Sequence, residues 1–519
     1  MTDYSPQFIK ANERGRPPER EDNSLKIPNF IDGTSVYYNL MTEDGFCRRC
    51  INARCEGNTL VRRHGKVAVG AVGDAGEVYM GAVMQVTGGE DVQYRLVEGS
   101  GAGVQLQALV SGTWTDVGSN IGTADDRVDW FWASINISGE DRLYFTNGVS
   151  DIQYTNGTTI STVTGVKARY ITNHQGTLVI AYPTATFAPN YILYAKSGSH
   201  QFYSDDDSGY ASSSQYFQIS GKTTGIRDFN SMVYVMTESD GMYEIDLDDL
   251  TIRQVSTHGC IAPKSLTSSW DMMAWCNQDG VWGMAAGSSP QLLSKKVEAI
   301  YGQTAAANIK QIVAGFNTNG QLEVHLGTLT FEGTEYVNYT LLYEVEQSRY
   351  EGQNIWREDY GKIFPNNMVN WTNSYGFAQT YYGSRYTQTT YLNDYGYEDD
   401  TTDITMIWQS KDFKIADEDV ESLLANLYIK YEPSGSEILP LDVYVRVDGG
   451  AWNLLQHTAL PASSNAIAIA HIPVGQANKA CRTLAFKLVS TDDASLRIYE
   501  IHAQYNYTAS DIAMSDAIA

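Results

Sequence analysis

The sequence predicts an all-β protein, a β-propeller-like domain with a few short helices followed by a C-terminal β-sandwich. Three observations predict it. The 519 residues include 35 Tyr and 45 Gly but only 19% charged residues, a composition suited to strands and turns rather than to disorder or helical repeats. Short alternations of apolar and polar residues recur between Gly, Asn, Asp and Ser clusters, as half-buried strands joined by tight turns do. With Val92, Leu143, Leu178, Val233, Met273, Leu322 and Phe377 as register marks, the spacing averages about 48 residues, close to the roughly 40 to 50 of a four-stranded propeller blade.

Six or seven blades fit that spacing. Closing a ring is favourable because each small twisted sheet leaves apolar faces and open edges, and radial stacking covers both. The chain lacks the Trp-Asp and Gly-His signatures of the best-known propellers, so two sandwiches in series are the rival reading.

The elements follow in chain order. Residues 1–66 read as an extended docking arm: they hold 11 Lys and Arg against 9 Asp and Glu, while the whole chain carries a formal charge of -25. That asymmetry suits a basic arm seated against an acidic neighbour, a second copy included. Residues 67–403 read as the propeller, with strands such as Val92 to Val97, Arg142 to Phe145, Thr177 to Tyr182 and Met232 to Met236. Ser294 to Ile300 and Thr304 to Ile312 interrupt them as short helices capped by Ser or Thr. Residues 404–507 read as the sandwich, with Asp448-Gly449-Gly450 as a hairpin turn. Residues 508–519 read as a flexible tail.

Composition narrows the function. A pI near 4.6 argues against simple DNA-binding domains, which present basic faces to phosphates. No apolar run approaches the roughly 18 residues of a membrane-spanning helix, and the polar start from Met1 to Arg20 is not a secretory signal. Six Cys over this length read as reduced thiols rather than a disulfide framework. A soluble protein made in a cytoplasm is expected, and the sequons at Asn136, Asn156, Asn338, Asn370 and Asn506 carry no meaning there.

The sharpest local constellation is Cys47-x2-Cys50-x4-Cys55 followed by His64, whose thiolates and imidazole are Zn ligand types. The usual second Cys pair is missing and Arg48, Arg49 and Arg54 also suit a docking segment, so whether Cys47, Cys50, Cys55 and His64 bind Zn stays open, and no metal or cofactor is assigned. Asp205 to Gly209 and Glu398 to Asp400 read as solvated acidic turns, without the ligand spacing of a Ca loop. Cys260 and Cys276 read as buried thiols. Nucleophile elbows and phosphate-cradling loops are absent. Gly112-Thr113-Trp114 resembles the end of a sialidase Asp box, but Gln107 and Leu109 stand where Ser and Asp belong. Tyr381, Tyr382, Tyr386 and Trp371 are candidate sugar-stacking residues. No catalytic residue is assigned.

Three segments resemble the packaged-DNA stabilisation proteins, the tail hub or nozzle proteins of short-tailed bacteriophages. They are Ile51 to Gly65, His258 to Ser265 continuing through Met272 to Trp282, and Pro290 to Ile300. The second is similar to a recurrent blade in which a Gly-Ile/Cys turn leads to a strand and a Gly hairpin. The third is similar to the element after that blade, ending in a short helix. The likeness spans Ile31 to Ile300 with gaps, and Arg62-Arg63-His64-Gly65 lacks the Pro-Gly usual in the opening pattern.

The resemblance implies a structural virion protein with no reaction of its own. It implies a ring, usually of six copies, below the portal and tail adaptor proteins, with tail fibre or needle proteins as further neighbours. It places the chain in the virion tail, assembled in the host cytoplasm. Such a ring retains packaged DNA and conducts it at ejection, and a wall poor in Lys and Arg lets duplex DNA pass without specific binding. Tyr382 to Asp403 and Gln201 to Gln215 are the candidate gating loops. The alternatives are a receptor-binding or fibre-attachment tail protein that contacts host glycans, and a glycan-cleaving propeller with its acids drawn from separate blades.

Overall fold

In the computed structural model the described residues are 24–27, 30, 34–35, 47–56, 58–70, 76–99, 103–118, 121–184, 188–196, 198–200, 216–372, 378–393, 397–415, 421–432, 438–461, 467–474, 480–492 and 495–507. The chain forms two compact units, one of residues 66–354 and 361–395 and one of residues 1–65, 355–360 and 396–519. The tail 508–519 and the acidic turn at 205–209 lie outside the described residues.

The first unit is a seven-bladed propeller. Five antiparallel four-stranded sheets follow one another, opening on Val78–Met84, Phe131–Ile137, Ala168–His174, Thr223–Phe229 and Thr267–Ser268. A sixth blade comprises Val313–Phe316, Leu322–Phe331 and Thr334–Tyr343. The seventh joins Pro365–Thr372, Ala378–Ser384 and Thr390–Asn393 to Lys66–Val69, so the first strand of the unit completes its last sheet. Each opening strand packs against the next around the circle, and Pro365–Thr372 returns to Val78–Met84. Between blades lie apolar cores such as Met80, Leu96, Leu106, Leu143 and Phe145, and Tyr170, Val179, Ile226, Val233 and Ile245.

Ring closure is reinforced by a buried polar network between blades six and seven. The Glu323 carboxylate accepts from Asn317 Nδ2 and Tyr382 Oη, both at 2.8 Å, and lies 3.4 Å from His325 Nε2. Lys66 of the closing strand sits 4.4 Å from the Tyr382 ring centre. Burial alone raises a carboxyl's pKa; here the hydrogen bond to His325 and the charge of Lys66 outweigh it and hold Glu323 well below the usual carboxylate range.

The helical interruption is present as Ser294–Val297, Glu298–Tyr301 and Ala306–Ile309. The expected Ser cap is not made: Ser294 Oγ instead accepts from Val281 N at 3.0 Å, tying the helical segment to its blade. A further helix, Val345–Glu351, had no strong signal in the sequence.

The second unit is a β-sandwich. One sheet runs Ala53–Glu56, Thr59–Arg62, Arg497–Tyr507, Ser422–Glu432 and Ala468–Ile472, with Ser24–Ile27 also on Arg497–Tyr507. In the other, Trp356–Asp359, Arg49–Ile51, Ile404–Gln409, Thr483–Asp492, Leu439–Val447 and Asn453–Leu460 lie in that order. Both contribute to one core, including Leu427, Ile429, Val443, Phe486 and Ile501. Asp448 and Gly449 adopt φ of 46° and 68°, the left-handed pair of a tight hairpin turn.

The docking arm expected at 1–66 is therefore corrected: its described strands belong to the sandwich, apart from Lys66. The acidic neighbour of its basic residues is the same chain. Arg49 Nε meets Glu358 Oε2 at 2.8 Å with both side chains buried. Arg54 grips Asp359 at 2.9 and 2.7 Å, and Arg63 grips Asp399 at 3.0 and 2.6 Å. The planar guanidinium fork matches a carboxylate in this way. Residues 396–403, expected in the propeller, also fall in the sandwich unit.

Two predictions follow from these buried charges. Glu358→Ala strands the Arg49 guanidinium and costs about 3–5 kcal/mol in a denaturant titration; a loss within that of an exposed ion pair, under about 1 kcal/mol, contradicts the assignment. Because the Glu323 pKa is depressed on folding, its contribution is present above the unfolded value of about 4.3 and is lost as pH falls. Melting followed from pH 7 down to pH 3 shows a smaller acid loss in Glu323→Gln than in the parent; equal losses exclude it.

Candidate functional site

The seven opening strands surround a cavity of about 600 Å³, inside the roughly 300–1,000 Å³ range of small-molecule sites. Small residues bring the strands close. A Cβ on Gly81 would lie 2.6 Å from Asn367 Oδ1, and one on Gly225 2.7 Å from Leu266 Cδ2. Asn side chains stitch neighbouring strands, Asn367 Nδ2 donating to Val78 O at 3.0 Å and Asn370 Nδ2 to Phe316 O at 2.7 Å.

Aromatic side chains furnish one sector of the wall. Phe131 and Tyr170 meet edge to face at 4.8 Å between centroids, Trp132 lines the cavity beside them, and Trp270 stands at it 87% exposed. Arg227, on Thr223–Phe229, donates from Nε to Ser268 Oγ at 2.9 Å. Burial lowers its pKa from the ordinary value, with Asp228 opposing, and Asp228 is itself 2.6 Å from His174 Nδ1.

A second group gathers where the opening strands begin. Lys264, in the turn Pro263–Ser265, lies 2.5 Å from Asp129 Oδ1 and also donates to Asn366 Oδ1. Asn366 Nδ2 donates in turn to Glu77 Oε1 at 2.5 Å and to Val78 O at 2.8 Å. Burial raises the Glu77 pKa, with Lys264 pulling it back and Asp129 adding to the rise. Burial lowers the Lys264 pKa, with Asp129 opposing. Glu77 and Asp129 are thus linked through Lys264 and Asn366.

The cavity lining includes Arg227, Lys264, Asp271 and Glu346, an even balance of sign. A duplex whose major groove alone is about 12 Å wide does not fit in it. The acidic wall expected for a DNA tube is thus not the centre of the propeller.

The sequence-stated candidates fall elsewhere. Cys47 and Cys50 are buried in the sandwich, where the hydrogen bond from Cys47 lowers the Cys50 pKa against burial, which raises it. Cys55 lies on the strand Ala53–Glu56. His64 is exposed and stacks on Tyr397 at 4.9 Å. Among the described residues no three His, Cys, Asp or Glu are grouped to hold a metal ion. The acidic turn at Glu398 to Asp400 is corrected, since Asp399 is 3% exposed and occupied by Arg63. Cys260 and Cys276 are buried, and burial pushes the Cys260 thiol up to about 11.

Of the proposed sugar-stacking residues, Tyr381 and Tyr382 are buried and Trp371 is tied to Asp91 O at 2.8 Å; Tyr386 alone is exposed, at 63%. The sequence reading missed Trp132, Tyr170, Arg227 and Trp270, which lie on different blades. Trp114, at the end of the degenerate Asp box, packs 4.2 Å from Arg95 and donates to Val69 O.

No protein-family model matches the chain, and no curated protein matches it. Solved structures resemble it at low identity. The extracellular domain of a one-component system from B. thetaiotaomicron is 12% identical with a TM-score of 0.41, over 86% of this chain and 64% of that one, so this chain spans under two thirds of its length. The WD40 domain of Neurospora crassa Pan2 is 8% identical with a TM-score of 0.35, over 65% of this chain and 97% of that one. A glycoside hydrolase family 43 arabinoxylan arabinofuranohydrolase from Bacillus subtilis is 10% identical with a TM-score of 0.22, over 83% of this chain and 96% of that one. These likenesses speak to fold alone. Glycoside hydrolases stand among them, so the fold gives no ground for the expectation that the chain performs no reaction.

Lys264→Met removes the charge that holds Glu77 down, so the Glu77 pKa rises in a carboxyl NMR titration of the variant. A Glu77 pKa unchanged or lowered contradicts the coupling of the two groups.

Proposed function

We propose that this chain is a tail hub or nozzle subunit of a short-tailed phage, a structural virion component that assembles as a ring, retains packaged DNA and conducts it at ejection. One observation carries the reading beyond the sequence. The segment whose sequence carries the likeness, His258 to Ile300, supports it by forming strand Met272–Cys276, a turn at Gly280, strands Val281–Ala285 and Gln291–Leu292, then the short helical turns Ser294–Val297 and Glu298–Tyr301. The formal charge of -25 also suits a wall along which a polyanion slides without being held. Since the propeller's own centre is ligand-sized, the DNA path in this reading runs between copies.

A second reading, contact with host glycans by a tail component, is favoured by the aromatic sector of the cavity, because flat apolar faces beside polar groups suit sugar rings. The two readings are compatible in one subunit.

Light scattering of the purified chain mixed with the portal and adaptor assembly tests the first. The expected species carries about six copies of the 57.5 kDa chain; a chain that stays monomeric and unattached in that mixture rules the nozzle reading out.

A further inference from the structure

We infer that the central cavity of the propeller is a binding site for a short glycan bearing a carboxylate, with the acid group on Arg227 and the sugar rings against Trp132 and Trp270. The inference rests on the glycan-contact reading and adds the chemical class of the sugar.

Of the cavity's two cations, Arg227 is the one that no described carboxylate pairs with, while the acid Glu346 is exposed on the helix Val345–Glu351. Lys264 is neutralised by Asp129 at 2.5 Å, and Asp271 is engaged by Arg349 at 2.7 Å. Asp228, beside Arg227 in the chain, is engaged by His174. Arg227 uses only Nε, on Ser268; its two terminal nitrogens have no protein partner among the described residues. A guanidinium with both terminal nitrogens free presents a fork that matches a carboxylate bidentately. Ser268 fixes the orientation of that fork from the neighbouring blade.

The aromatic pattern selects a sugar over a small inorganic anion. Arg227 sits on the strand Thr223–Phe229, next in the ring to Ala168–His174, which carries Tyr170, and one further from Phe131–Ile137, which carries Trp132. Neither the Trp132 nor the Trp270 indole N–H has a protein partner among the described residues, and Trp270 is 87% exposed. An amphipathic ring face beside an N–H open to a ligand suits a pyranose, whose faces are apolar and edges hydroxylated. The volume of about 600 Å³ is within the small-ligand range.

The test is calorimetric titration of the full chain with glucuronate- and galacturonate-terminated oligosaccharides and their neutral glucose- and galactose-terminated counterparts. The acidic sugars are expected to bind roughly tenfold to a hundredfold tighter, the scale of a charge-assisted hydrogen-bonded pair. Arg227→Gln removes that preference while Arg227→Lys keeps part of it, and Trp270→Ala, at an exposed position, weakens acidic and neutral sugars alike. Melting curves of each variant establish that it is folded. Equal affinity for acidic and neutral sugars, or a preference intact in a folded Arg227→Gln, overturns the acidic specificity and leaves the glycan reading standing. Absence of binding to every sugar overturns both.

Discussion

A blade of four short strands cannot stand alone, and the propeller depends on the circle being closed. The pairing of Lys66–Val69 with Thr390–Asn393 supplies that closure: it joins residues more than 300 positions apart in sequence and satisfies the edge that the seventh blade would otherwise present to water. The Glu323 network stands beside it, with Lys66, Tyr382 and Asn317 arranged about one carboxylate. A buried charge of this kind contributes little net stability against an apolar alternative, yet removing one member leaves the others stranded. Such an arrangement discriminates between the closed ring and near misses in register more than it adds to its free energy.

Closure also creates the cavity. Seven opening strands meeting at a common axis bring side chains distant in sequence to one place, and whatever the chain binds there is recognised by residues from several blades. Arg227 and Ser268 come from adjacent blades, whereas Lys264, just before the fifth blade, meets Asn366 of the seventh. In the proposed reading the two roles use different places: DNA passes between copies, whereas a glycan is held within the single propeller.

Much of the fold was legible in the sequence because it is written in local alternation. The marks Val92, Leu143, Leu178, Val233, Met273 and Leu322 each fall on the second strand of successive blades, while Phe377 lies outside the described residues. The sandwich strands and the Asp448 turn were legible for the same reason. What was hidden is long-range. The basic residues Arg49, Arg54 and Arg63 signalled a docking surface, but their acids, Glu358, Asp359 and Asp399, are some 300 residues away and nothing local announces them. The cavity was illegible likewise: Trp132, Arg227 and Trp270 look like ordinary strand and turn residues until the ring gathers them. Tyr381 and Tyr382 misled because an aromatic strand residue reads the same whether it faces solvent or core.

The central claim is that the propeller is a single closed ring held shut by its first strand, and native-state hydrogen exchange at that strand tests it most directly. If the account holds, the ladder amides of Lys66–Val69 and Thr390–Asn393 exchange together and only through cooperative opening of the propeller. Exchange of Lys66–Val69 as fast as in a fraying chain end, with the remaining blades still protected, would show that the ring is not closed there.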